Sequence, residues 1–195
     1  MFLLRRPSPD AIARFLRASE NLPLSYLPIG IARTGPAGYD RDETVAAIGH
    51  GRADFERARA AVNAWIPFDF EWVEVLPPKA PVENGTVVAV LIRHLGFWSL
   101  NGCRIVYTVD EERRAGFAYG SLSNHAEEGE EIFEVFMDAT DEVKYRICAV
   151  SRPRLAMARI GYPIARALQA RFRRDSVAAM KRAIERRRSA AETRR

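Results

Sequence analysis

The stretch from Glu131 to Ser151 reads EIFEVFMDATDEVKYRICAVS, and it decides the fold. Apolar and polar residues alternate along it twice, once on each side of Thr140 and Asp141. A period of two places successive side chains on opposite faces of a β-strand. We therefore predict two antiparallel strands joined by a short turn. They share an apolar face made of Phe133, Val135, Met137, Val143, Tyr145 and Ile147.

The same pattern extends the sheet towards the N-terminus. Asn84-Gly85 lies between two apolar runs and predicts a hairpin turn. A Pro77-Pro78 pair ends the strand that precedes it. Further strands are predicted over residues 42–48, 70–76, 86–94, 103–109 and 117–122. Residues 96–100 are predicted to form a short strand or a bend.

Helical spacing marks three other segments. A short helix capped by Ser8 or Asp10 is predicted to reach Ser19. A second helix is predicted over residues 53–65, where apolar residues recur on one side. A long helical pattern runs from about residue 154 to the C-terminal end, and Pro163 inside it predicts a kink or a separate short helix. Its apolar stripe includes Met157, Ile160, Ile164, Leu168 and Phe172.

This order of elements predicts an α+β helix-grip fold. The sheet would have about six or seven antiparallel strands, and its apolar face needs a cover. The long C-terminal helix is the candidate of sufficient length, so we expect a curved sheet wrapped around it. We expect one domain over residues 1–195, with residues 1–40 as an N-terminal helix and covering loop, and 186–195 as a basic, flexible tail.

Composition indicates an ordinary globular protein. The chain has 195 residues, 48% of them hydrophobic, which is enough for a sizeable core. Its two cysteines, Cys103 and Cys148, lie in apolar strands, where buried thiols in a reducing compartment are expected. No apolar run reaches the length of a membrane span. We therefore expect a soluble, cytoplasmic protein without a transmembrane segment.

The net charge of +5 is unevenly distributed. Residues 171–195 contain ten Lys or Arg against three acidic residues, so the rest of the chain carries a net charge of −2. A basic end suits a nucleic-acid backbone or an anionic membrane. Aromatic residues do not interleave with these arginines, and cations at a helix C-terminus are favourable by themselves. A solvated helix end is the preferred interpretation, and no nucleic-acid partner is expected.

Polar residues gather at one end of the predicted sheet. By strand parity, Glu131 and Ser151 fall on the apolar side, and Tyr119 and Ser121 share a face. With His125 they would form a polar rim above an apolar cavity, as in many ligand sites. The structural alternative is that Glu131 pairs with Arg104 or Arg152 and that His125 is an exposed loop residue. Both interpretations stay open at this point.

Other chemistries receive little support. The histidines are far apart and show no metal-ligand spacing, so no metal or cofactor is expected. The sequence contains no GxSxG motif for a nucleophilic serine, and its glycines lack the spacing of a phosphate-binding loop.

Several separate motifs point to a known family. They are GY at 38–39, GHG at 49–51 with FERA at 55–58, RHLGFWSLN at 93–101 with CR at 103–104, GFAYGSL at 116–122, His125, GEE at 129–131 and SRP at 151–153. In this order they resemble the uncharacterised family called domain of unknown function nineteen-ninety, and the likeness spans residues 26–182. That family resembles the birch-allergen and START-like helix-grip superfamily. The resemblance implies the fold and the binding of hydrophobic small molecules or lipids, with a minority of enzymes such as cyclases, and it supplies no catalytic residues.

Three functions follow as hypotheses. The first is a protein that binds a hydrophobic small molecule or lipid between sheet and terminal helix. The second is an enzyme of the cyclase, isomerase or hydrolase type, with His125 and Glu131 as acid and base. The third is an interaction protein that uses its basic helix end. For the first, Ser121 and Ser151 complete the rim, Arg104, His125 and Glu131 are polar anchors, and the lining residues are Phe117, Tyr119, Phe133, Tyr145, Ile164, Leu168 and Phe172.

Overall fold

A curved antiparallel sheet lies at the centre of the protein, which we describe from a computed structural model. The structure describes residues 1–94, 96–153 and 162–192, without the side chains of 162–165 and 187–192. In these residues the sheet has eight strands, in the order β2-β8-β7-β6-β5-β4-β3, with β1 beside β5. The strands are β1 Phe2–Leu3, β2 Asp40–His50, β3 Val73–Leu76, β4 Val87–Arg93, β5 Trp98–Glu111, β6 Arg114–Ser121, β7 Glu127–Met137 and β8 Glu142–Pro153.

Four α-helices and one short 3-10 helix accompany the sheet in the described part of the chain. The 3-10 helix spans Ile66–Phe68. The α-helices are α1 Pro9–Ser19, α2 Ile31–Thr34, α3 Gly51–Asn63 and α4 Tyr162–Glu192. The predicted helix-grip class, a curved antiparallel sheet with a long C-terminal helix, is confirmed.

The structure changes one prediction of local structure and bears on two others. The two strands expected over 96–100 and 103–109 form a single strand, β5, with an irregularity between Ile105 and Tyr107. The kink expected near Pro163 concerns residues that include 154–161, which lie outside the described ones. Helix α4 is described from Tyr162 onwards, so Pro163 lies within the described helix. The tail expected to be flexible from residue 186 continues α4 as far as Glu192.

The inner face of the sheet packs against α3, the 3-10 helix and α4. Phe68 is central to this contact, because its ring centroid lies 5.0 Å from that of Phe133 on β7 and 5.3 Å from that of Phe172 on α4. Trp65 packs in the same way on Phe117 of β6, at 4.8 Å between centroids. Tilted aromatic pairs at these distances stabilise a core beyond simple burial. The middle of the grip is therefore a solid aromatic core.

The outer face is covered by the N-terminal part of the chain. Helix α1 packs on Leu91 and Leu100, and the segment of residues 21–39 packs on Ile132 and Val150. The sheet is thus apolar on both sides, which explains why long strands such as β7 contain few exposed residues.

Glu130 anchors the covering segment to the sheet. The carboxylate is 3% exposed and accepts hydrogen bonds from the Tyr26 hydroxyl at 2.7 Å and the Tyr107 hydroxyl at 3.1 Å. The backbone N–H groups of Gly30 and Ala32 donate to it at 2.8 and 3.3 Å. Four donors compensate the cost of burying the charge.

Glycine is required where the covering segment crosses β6. Tyr26 reaches Glu130 by passing directly over Gly120, and a Cβ atom there would lie 2.4 Å from the tyrosine hydroxyl oxygen. The GFAYGSL motif therefore carries a glycine at this position for close approach and not for a turn.

We expect Glu130→Ala to lower the free energy of unfolding by about 3 kcal/mol, because two hydroxyls and two amide groups lose their acceptor. Urea denaturation followed by circular dichroism measures the change. The control is Glu111→Ala, since Glu111 is exposed on β5 and its loss should change stability little. Equal stabilities of the two variants would show that Glu130 does not anchor the segment.

Candidate functional site

Four inward-facing residues lie side by side across the sheet, near the end where β5 and β7 begin. Tyr119 on β6 is paired with Glu131 on β7, Glu131 with Ala149 on β8, and Ala149 with Asp42 on β2. We call these four residues the polar row. Adjacent strands are about 4.8 Å apart, so Glu131 and Asp42 lie about two strand spacings apart, with the small Ala149 between them.

The polar row marks a boundary in burial. Further along the strands, towards the middle of the sheet, the inward-facing Phe117, Phe133 and Tyr145 are 0% exposed. Every residue of the polar row is partly exposed, although each faces inward. Leu168 and Phe172 on α4 are partly exposed as well. We call the region bounded by the polar row and these two α4 residues the mouth cleft.

Glu131 is the most perturbed acid of the cleft. Burial raises the pKa of its carboxyl to about 7, and the nearby charges of Glu127 and Asp42 act in the same direction. The Tyr119 hydroxyl donates a hydrogen bond to it at 2.7 Å, which lowers that pKa, as does Arg173. A carboxyl that titrates near neutrality is able both to accept and to donate a proton.

Tyr119 stays protonated in this environment. Burial and the charge of Glu131 raise the pKa of the phenol well above its usual value. The hydroxyl is therefore a permanent donor, available to the carboxylate or to a ligand oxygen.

Glu127 forms a second acidic centre beside the polar row. The Ser151 hydroxyl donates to it at 3.2 Å, and the Gln169 amide of α4 donates at 3.1 and 3.2 Å. Burial raises the pKa of the Glu127 carboxyl, while these two hydrogen bonds lower it. The Gln169 contact also connects the first turns of α4 to the beginning of β7.

Two arginines of α4 bind the far end of the polar row. Arg166 donates to both carboxylate oxygens of Asp42, at 2.8 Å for the longer bond, and Arg173 lies 3.4 Å from Asp42. The Asp42 side chain is only 12% exposed. A bidentate arginine–carboxylate pair fixes the relative orientation of its two side chains, and here it connects α4 to β2.

The structure brings together five of the residues predicted for the site. Tyr119 and Glu131 belong to the polar row, Ser151 bonds to the adjacent Glu127, and Leu168 and Phe172 face them from α4. Phe117, Phe133 and Tyr145, expected to line a cavity, are instead packed in the core. The side chain of Ile164 lies outside the described residues.

The other three predicted residues have different partners. Arg104 lies on the outer face, where it donates to the backbone carbonyls of Glu20 and Leu22 at 2.8 and 3.0 Å and holds the end of α1. Ser121 is buried and bonds to Gly129, whose N–H donates to it at 2.8 Å. His125 accepts the backbone N–H of Glu127 at 3.0 Å through Nδ1.

Sequence reasoning missed five members of the cluster: Asp42, Glu127, Arg166, Gln169 and Arg173. Because side chains alternate along β2, Asp42 lies on the same face of the sheet as Thr44, and this alternation was visible in the sequence. The residues of α4 could not be identified in this way, because a polar or charged residue on a helix is explained equally well by exposure to solvent.

A separate depression lies on the surface outside this cluster. It has a volume of about 260 Å³ and its lining includes Trp65, Phe68, Val75 and Lys79. It is smaller than most ligand pockets, which start at about 300 Å³. Within the described residues, no group of three or more His, Cys, Asp or Glu is arranged to hold a metal ion.

The fold and the arrangement of the inner face define a helix-grip protein. A solved structure with this fold, the Zhui aromatase/cyclase from Streptomyces sp. R1128, superimposes with a TM-score of 0.55 at 16% sequence identity. The match covers 78% of this chain and 98% of that one. At this identity the likeness shows the fold alone.

The chain belongs to the family described as Domain of unknown function (DUF1990), whose model matches residues 25–179. A UPF0548 protein of Deinococcus radiodurans is 34% identical, over 88% of this chain and 92% of that protein. A UPF0548 protein of Dictyostelium discoideum is 30% identical, over 94% and 96%. The resemblance inferred from the motifs is thereby confirmed. Among the described helices, none is long and apolar enough to cross a membrane.

We expect Glu131→Gln to stabilise the protein at about pH 8 and to leave its stability unchanged at about pH 4. Folding raises the pKa of Glu131 from its ordinary value of 4.5 to about 7. The unfolded chain therefore releases this proton first, and stability falls as the pH rises between those two values. Glutamine removes that cost, which we put at about 2 kcal/mol after allowing for solvent screening.

Urea denaturation at both pH values measures this difference. Glu71→Gln is the matched control, because Glu71 is exposed and the substitution removes the same charge. A gain for Glu131→Gln that is equal at both pH values would contradict the raised pKa.

Proposed function

We propose that this protein binds a hydrophobic small molecule or a lipid in the mouth cleft, between the sheet and α4. The observation that carries the proposal is the change in burial along the inner face. The core residues around Phe133 are fully buried, whereas the inward-facing Tyr119, Glu131, Leu168 and Phe172 remain accessible. A ligand would cover these side chains and complete the interior.

The two walls of the cleft suggest how such a ligand would lie. Phe172 contacts Phe68, Phe70 and Trp72, with ring centroids 5.3, 5.5 and 6.4 Å away, so its exposed edge belongs to a rigid aromatic wall. The opposite wall is the polar row. An apolar body against the aromatic wall and a polar group at Tyr119 and Glu131 is the usual division of roles in small-molecule sites.

Native mass spectrometry of protein purified from its own host tests the proposal directly. The expected result is a carried apolar molecule that organic extraction releases. A clean mass without ligand, together with no binding of the fluorescent probe anilinonaphthalene sulfonate, would overturn the proposal.

A larger side chain that fills the mouth cleft should weaken binding of the fluorescent probe. We expect Leu168→Trp to weaken probe binding by at least about tenfold, because the larger side chain occupies the accessible space at modest cost to the fold. Lys181→Trp is the matched control, since Lys181 is exposed on the same helix. Fluorescence titration and thermal unfolding of both variants separate loss of binding from loss of fold, and unchanged probe affinity in Leu168→Trp would place the ligand elsewhere.

A second candidate function is proton-transfer catalysis on the bound molecule. It is favoured by the Glu131 carboxyl, whose pKa lies at about 7 and which touches a phenol that stays protonated. The acid and base pair expected at first was His125 with Glu131. The observed hydrogen-bond partner of Glu131 is Tyr119, so we assign the second role to Tyr119.

In such a reaction the Tyr119 hydroxyl turns from Glu131 and donates its hydrogen bond to the carbonyl oxygen of the ligand, and the Glu131 carboxylate takes a proton from the carbon next to that carbonyl. The electrons of the broken C–H bond form the enolate, and Glu131 returns the proton to either end of it. Incubation of the ligand-loaded protein in heavy water should put deuterium into the ligand. We expect Glu131→Gln to slow this exchange at least about a hundredfold, whereas equal exchange in both proteins would exclude the reaction.

A further inference from the structure

Negative charge exceeds positive charge around the mouth cleft. The carboxylates of Asp42, Glu127 and Glu131 lie there together with two guanidinium groups of α4, those of Arg166 and Arg173. Both arginines pair with Asp42. Among the described residues, no lysine or arginine nitrogen lies within ion-pair distance of Glu127 or Glu131. When all five groups are ionised, the cluster therefore carries one excess negative charge.

Glu131 receives its hydrogen bond from a neutral group. In the part of the chain that the structure describes, the Tyr119 hydroxyl is its hydrogen-bond donor, at 2.7 Å. A carboxylate has about four lone-pair sites, so one donor leaves it able to accept further hydrogen bonds. Its neighbour on β8 is Ala149, whose side chain is a methyl group and which is partly exposed. The carboxylate is thus open on this side to a donor that the described residues do not supply.

Glu127 is also bound by neutral donors only within the described residues. These donors are the Ser151 hydroxyl and the side-chain amide of Gln169. The charge of Glu127 acts at Glu131 as well, because it helps to raise the pKa of the Glu131 carboxyl. A cation bound at Glu131 would be attracted by both carboxylates.

Asp42 occupies the arginines that an anionic ligand would need. Arg166 donates to both carboxylate oxygens of Asp42, and Arg173 lies 3.4 Å from it with a side chain only 16% exposed. An anionic ligand would have to draw an arginine away from Asp42. It would also bring a further negative charge close to Glu131, and like charges in a partly buried site repel strongly. The cleft is therefore unfavourable for carboxylates such as fatty acids.

An aromatic surface begins one step along β7 from Glu131. Phe133 follows on the same face, about 7 Å further along the strand, and its ring centroid lies 6.3 Å from that of the partly exposed Phe172. Aromatic rings of this wall also attract cations, since the guanidinium carbon of Arg171 lies 4.7 Å from the ring centroid of Trp72. A site for positive charge and a site for an apolar body are thus adjacent.

We propose that the ligand of the mouth cleft is a protonated amine with an apolar body, whose ammonium group binds Glu131 beside Ala149 and whose body lies against Phe172. The ammonium donates N–H groups to the carboxylate and supplies a positive charge that the described residues do not provide. This inference rests on the proposed ligand-binding function and specifies the class of molecule. The cleft selects amines against alcohols of the same shape and against carboxylic acids.

Isothermal titration calorimetry with three ligands that share one apolar body tests this selection. The probes are naphthylmethylamine, naphthylmethanol and naphthoic acid, each titrated into the full chain. At about pH 8 the amine is protonated and Glu131, with its pKa of about 7, is ionised. We expect the amine to bind at least about tenfold more tightly than the alcohol, and the acid to bind most weakly.

Glu131→Gln keeps the shape of the side chain and removes its charge. We expect this variant to bind the amine at least about tenfold more weakly, while its affinity for the alcohol changes by no more than about twofold. Glu111→Gln is the matched control, because Glu111 is exposed at the opposite end of β5 and its substitution should leave both affinities unchanged. Thermal unfolding verifies that both variants keep the fold.

The outcomes separate this inference from the proposed function. If the alcohol or the acid binds as tightly as the amine, or if Glu131→Gln weakens amine and alcohol equally, the ligand site stands and the selection of amines is wrong. The molecule released from protein of its own host should contain a basic nitrogen, and a neutral or acidic molecule would overturn the inference by itself. If none of the three probes binds and no molecule is carried, the proposed function and this inference fail together.

Discussion

The packing of Phe68 between Phe133 and Phe172 is the interaction on which the arrangement of the other elements depends. Phe68 lies in the short 3-10 helix directly after α3, and its ring contacts the sheet on one side and α4 on the other. It therefore fixes the distance between sheet and terminal helix in the middle of the grip. Removal of such a central ring would separate three elements at once.

This filled middle explains where the accessible space lies. Aromatic rings from the sheet and from residues 65–72 occupy the interior at the level of Phe117 and Phe133. In the described residues, inward-facing side chains become partly exposed towards the end where Ala149 lies between Glu131 and Asp42. The polar side chains there orient the first turns of α4, and the same side chains give that space its chemistry. Support of the helix and provision of a ligand site are thus combined in one set of residues.

The sequence predicted the fold well because the fold follows from local periodicity. The alternation in β7 and β8 and the helical spacing in α4 each arise within a few residues, and together they indicate a curved sheet with a covering helix. Parity also placed Tyr119 and Glu131 on the inner face correctly. Parity cannot show depth, however, and depth distinguishes the buried Tyr145 from the accessible Tyr119, since both are tyrosines on the same face.

The sequence by itself determined the order of the main strands and helices, the apolar faces and the family, since each depends on neighbouring residues or on motifs in fixed order. Only the tertiary structure decided which polar groups meet. Arg104 was expected at the site and binds carbonyls on the outer face, while Asp42 and Arg166 meet although 124 residues separate them. Residues so far apart in the sequence are brought together by the order of the strands and the position of the helix. Neither can be deduced from a local sequence pattern.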